Sequence, residues 1–122
     1  MSFKHDPAES LADIVDNAER IEDYVAGMDR HGFERNGLVR DGVERCIERI
    51  CEAVYRLGAL AEDLMPGQPW GEIKGMGNRL RHAYDRIEIK VVWDTVRVDL
   101  PSLEAAARAA LAKLEPNGPK GI

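Results

Sequence analysis

The sequence predicts an all-α protein, an up-and-down bundle of four to five helices. Three observations carry the fold class. Apolar residues recur every three or four positions through most of the 122 residues, the period of a helix buried along one side. Aromatics make up only 6% of the chain, while Ala, Leu, Glu and Arg, all good helix formers, are abundant. The breaks in the period fall at Gly and Pro, so the connections are short and neighbouring helices run antiparallel. A chain of this length suits one domain, placed at 1–115 with a flexible tail at 116–122, and buries roughly two-thirds of its unfolded surface without cross-links.

The first helix begins at Asp6-Pro7-Ala8-Glu9, with Asp6 as N-cap, Pro7 in the first turn and Glu9 completing a capping box. Its buried stripe is Leu11, Ile14, Val15, Ala18, Ile21, Val25 and Met28, and the acids between are a solvated face. Gly27, His31 and Gly32 end it, leaving His31 in a loop. A long second helix is expected from about Glu34 to Asp63, carried by Val39, Val43, Cys46, Ile47, Ile50, Val54 and Leu57. Alternating charges on its polar side are ordinary surface pairs. Met65-Pro66-Gly67-Gln68-Pro69 is a turn. The third helix runs from Trp70 to Ala83 on Ile73, Met76, Leu80 and Ala83, and its glycines, Gly71, Gly75 and Gly77, point to a close approach by a neighbour. Ile87, Val91, Val92, Val96 and Leu100 resume the stripe, Pro101 forces a kink or break, and an Ala-rich helix fills Leu103 to Leu114.

Composition narrows the function classes. A net charge of -5 argues against broad, non-specific nucleic-acid binding, which needs a positive surface. The N-terminus carries no apolar leader and no run approaches a membrane span, so a cytoplasmic protein with no membrane partner is expected. Cys46 and Cys51, five apart on one helix, point in different directions and should not pair; no metal-ligand spacing occurs and no cofactor is implied.

The chemistry gathers in Gly77-Asn78-Arg79-Leu80-Arg81-His82-Ala83-Tyr84. Asn78 and His82 form an i, i+4 pair pointing away from the buried stripe. Between Lys74 and Lys90 the basic residues Lys74, Arg79, Arg81, Arg86 and Lys90 outnumber Asp85 and Glu88, giving a local +3 in an acidic chain. Such a window can hold a polyanion such as RNA while His82 exchanges protons near neutral pH. The plain alternative is a solvated, charged helix face.

Several blocks together resemble the HepT-like family, a branch of the HEPN ribonuclease superfamily. They are Arg40 to Ala53, Pro69-Trp70, Gly75-Met76, Asn78 to Tyr84, Val92-Trp93-Asp94-Thr95 and Asp99-Leu100-Pro101, and they span most of the chain. The resemblance implies a helical homodimer that sets two polar motifs in one cleft. It also implies a metal-independent endoribonuclease toxin, in which a ribose 2′-OH attacks the adjacent phosphate. His82 would handle protons, Asn78 orient the phosphate or the histidine, and an arginine stabilise the phosphorane; Arg79, three before His82, does not match the motif position but is taken for that role because its side chain is long enough to reach a phosphate. Arg81, Lys74 and Arg86 would hold the RNA. Tyr84 matches the tyrosine onto which a cognate nucleotidyltransferase antitoxin transfers AMP in this family.

The chain departs from the family at two positions. Gly77 stands where the motif arginine most often sits, and Cys51 replaces a glycine usual in the family's second helix. The alternative function is therefore a catalytically inactive member that serves as a dimeric binding or scaffold partner of a nucleotidyltransferase.

Overall fold

A computed structural model describes residues 6–81 and 88–114. The helices are α1 (Pro7–Val25), α2 (Arg30–Glu34), α3 (Gly37–Leu57), α4 (Leu60–Leu64), α5 (Trp70–Arg81), α6 (Ile89–Asp94) and α7 (Leu100–Leu114), with a π-helical segment at Thr95–Asp99 between the last two. No strand occurs among the described residues, so the all-α class holds. Residues 116–122 lie outside the described residues.

α1 starts where its cap signal places it: the Asp6 carboxylate accepts from the Ala8 backbone N–H at 2.9 Å, behind Pro7 in the first turn. Its stripe is buried from Leu11 to Val25, with Met28 partly buried beyond. Short α2 was not legible as a helix. Asp29 caps it by accepting from Gly32 N–H at 2.8 Å, and His31, expected in a loop, lies exposed within this single turn. Its value to the fold is Phe33, fully buried and tilted against Trp93 of α6 with ring centroids 5.1 Å apart.

The long second helix is shorter than its period suggests. It opens at Asn36, whose side chain accepts from Val39 N–H at 3.0 Å, and it closes at Gly58. With φ of 58°, Gly58 takes a left-handed turn that an L side chain resists, so α4 is a separate helix although Ala61 and Leu64 continue the apolar spacing.

Near Pro101 the chain does not break: α6, the π-helical segment and α7 follow one another without a gap. Proline lacks an N–H, and its ring collides with the carbonyl four residues back in a regular helix. The widened turn just before it relieves both problems, closed by Leu100 N–H donating to Thr95 O. Thr95 Oγ1 also donates back to Val91 O at 3.0 Å, which favours bending. Arg97 lies over Trp93 at 5.6 Å from the ring centroid.

α1 packs on α3 and α7, α5 packs on α3, and α2 leans on α3 and α6. Cys46 and Cys51 are both buried and neither is in a disulfide. Ion pairs lace the core's edges: Arg56 to Asp13 at 2.7 Å joins α3 to α1, and Arg108 bridges Glu104 on its own helix and Glu19 on α1. Burial and the neighbouring Glu104 carboxylate raise the Glu22 carboxyl above its ordinary range. No helix among the described residues is long and apolar enough to cross a membrane.

Candidate active site

α5 presents three different flanks, each read from its 3.6-residue period. Ile73, Gly77 and Leu80 turn towards the core, with Gly77 buried and the other two partly so. Glu72, Met76 and Arg79 turn towards the α6–α7 arm and line a cavity. Lys74 and Asn78, one turn apart, are exposed on the remaining side.

At Gly77 α5 comes close against α3. A Cβ there would meet Cys51 Cβ at 2.5 Å and Cys51 Sγ at 3.0 Å, so only glycine fits without movement. The thiol of Cys51 in turn donates to the Ile73 carbonyl at 3.2 Å. Gly71 and Gly75 have nothing within 4 Å of where a Cβ would stand, so the close approach expected from three glycines falls on one.

The cavity has a volume of about 400 Å³ and separates α5 from the α6–α7 arm. Ile47, Ile50, Val91 and Leu103 give it apolar walls, and Glu72, Asp94 and Asp99 put three carboxylates around it. Arg79, exposed, is the cation that faces them and makes no ion pair among the described residues. Desolvation first, then the charges of Glu72 and Asp94, raise the Asp99 carboxyl above its ordinary range. The arm is tied to the start of α5 by Gln68 Nε2 donating to Ser102 Oγ at 3.2 Å.

A raised carboxyl binds its proton more tightly in the folded chain than in the unfolded one, so ionised Asp99 costs stability at neutral pH. That cost fades as pH falls through the raised value towards the unfolded one, near 4. Asp99→Asn should therefore melt above wild type at pH 7. The gap should close by pH 4; melting curves with an equal gap at both pH values would contradict this origin.

Of the residues singled out in the sequence, the structure puts Asn78 and Lys74 together on the solvent side and Arg79 on the acidic cavity. His82, Tyr84 and Arg86 lie outside the described residues, as does the Arg81 side chain. Sequence reasoning did not find the acidic trio, although Asp94 and Asp99 sit in the blocks that carried the resemblance, nor the contact between Cys51 and Gly77.

The profile of the family described as "Ribonuclease HepT-like" matches residues 14–110, about four-fifths of the chain. The chain belongs to the HepT-like family. It is 32% identical over 102 residues to the "Probable ribonuclease HepT" of Thermococcus cleftensis, covering 84% of this chain and 93% of that protein. It is also 29% identical over 112 residues to the "Putative RNase MJ0125" of Methanocaldococcus jannaschii, covering 92% and 97%. No solved structure matches the chain. Membership of this HepT-like ribonuclease family makes RNA the substrate class to weigh against the geometry of α5.

Proposed function

We propose that this chain is a metal-independent endoribonuclease acting from the solvent flank of α5, as a homodimer with two such flanks in one cleft. The observation that carries the reading is the exposure of Asn78 beside Lys74, away from the acidic cavity and one helical turn in sequence before His82. RNA phosphates are repelled by Glu72, Asp94 and Asp99, so the Asn78–Lys74 flank, turned away from them, is the one they can approach.

In the proposed reaction His82 takes the proton of a ribose 2′-OH, whose oxygen attacks the adjacent phosphorus. A proton then goes to the departing 5′-oxygen, leaving a 2′,3′-cyclic phosphate. Asn78 holds the phosphate or the imidazole. Arg79 stabilises the phosphorane in place of the arginine absent at Gly77, its guanidinium swinging from the cavity rim, while Lys74, Arg81 and Arg86 hold the RNA backbone. The protein is a cytoplasmic toxin on this reading, neutralised by a cognate nucleotidyltransferase that adds AMP to Tyr84. The added phosphate would put negative charge where the substrate needs positive.

A second reading, the inactive scaffold partner, is favoured by one observation: Cys51 fills the space a side chain at position 77 would enter. Incubation of a mixed RNA pool in EDTA separates the two. Cleavage by wild type supports the nuclease; silence from wild type with cleavage by the double variant Cys51→Gly/Gly77→Arg, which makes room for the arginine, supports the scaffold.

A further inference from the structure

Cys51 sits on α3, outside the polar motif, yet it makes two separate contacts with the helix that carries the motif. Its Cβ and Sγ fill the notch left by the missing side chain of Gly77, where an added Cβ would stand only 2.5 Å from its own. Its thiol donates to the carbonyl of Ile73, one turn earlier on the same flank. A steric contact and a hydrogen bond one helical turn apart fix two degrees of freedom, the height of α5 along α3 and its rotation about its own axis. Rotation matters most here. The Asn78 flank and the acidic cavity flank lie about a third of a turn apart on one helix, so any turn of α5 about its axis moves Asn78 off the solvent side.

Resting on the nuclease reading above, we propose that Cys51 is a positioning residue for the reaction: paired with Gly77, it sets the rotation of α5 and so keeps Asn78 and the chain leading to His82 on the RNA-facing side. The two residues then act as one unit, and each is tolerable only in the size of the other.

The test is a double-mutant cycle read on RNA cleavage in EDTA and on the side-chain amide of Asn78 by NMR. Gly77→Ala should lower kcat at least tenfold with KM within twofold, and should displace the Asn78 amide cross-peak. Adding Cys51→Gly to that chain should return kcat to within threefold of wild type and the cross-peak to its place. Cys51→Ser, which keeps the Cβ and a donor, should stay within twofold of wild type. A double variant no better than Gly77→Ala, or an Asn78 cross-peak indifferent to position 77, overturns the proposal. Should Gly77→Ala fail to fold, cooperative folding of the double variant supports the pairing and its failure overturns it. If wild type cleaves no RNA the nuclease reading falls, and the Asn78 cross-peak still decides whether Cys51 orients α5.

Discussion

His82→Ala should reduce RNA cleavage in EDTA by about 10²–10⁴-fold, the usual contribution of a positioned proton-transfer group. Near neutral pH histidine is the side chain whose ordinary proton affinity lets it both accept the 2′-OH proton and return one to the leaving oxygen. Removing it leaves Asn78, Lys74 and Arg79 to bind substrate, so KM should change far less than kcat. Single-turnover rates with purified wild type and variant, beside melting curves to confirm that both are folded, give the answer. Equal rates for the two proteins would mean that the cleavage belongs elsewhere on the molecule or to a contaminant.

The largest effect on stability is expected from Phe33→Ala. Phe33 is fully buried and meets Trp93, so truncation removes both its transfer from water and its packing against the ring. Cavities left by buried aromatics cost about 3–5 kcal/mol. Here collapse is difficult, because α2 is one turn long and is held between its Asp29 cap and α3. Urea unfolding should show the midpoint fall with little change in slope. A loss of unfolding free energy below about 1 kcal/mol would show that α2 swings in to fill the gap, and that the turn is not the rigid plug its burial implies.

What the sequence made legible, and what it did not, follows from how far apart the interacting residues lie. The α1 stripe and the Asp6 cap are local signals, periodic or adjacent, and the structure matches them from Asp6 to Val25. The end of α3 at Gly58 was not read from the sequence, where the helix was carried on to about Asp63, since periodicity is indifferent to a single left-handed residue. At Pro101 the lost N–H was certain; that the chain would widen one turn and continue depends on packing of α6 and α7 that no local pattern encodes. The candidate site divides the same way. Exposure of Asn78 was readable from the stripe on α5, whereas the cavity acids come from positions 72, 94 and 99, and Cys51 meets Gly77 across 26 positions of sequence. Glycine's helix penalty announced that a neighbour comes close, and could not say which.

The cavity beside α5 also bears on how the molecule breathes. Among the described residues α1 is held by α3 and α7 and α3 by α1 and α5, whereas α5 packs on α3 with the cavity between it and the arm. Such a helix opens at a lower free energy than the global unfolding of the chain, so its backbone amides exchange with solvent through local excursions that leave α1 and α3 intact. A ligand or protein that spanned α5 and α7 would slow that exchange by supplying the missing second wall, coupling its own binding to the order of the motif helix.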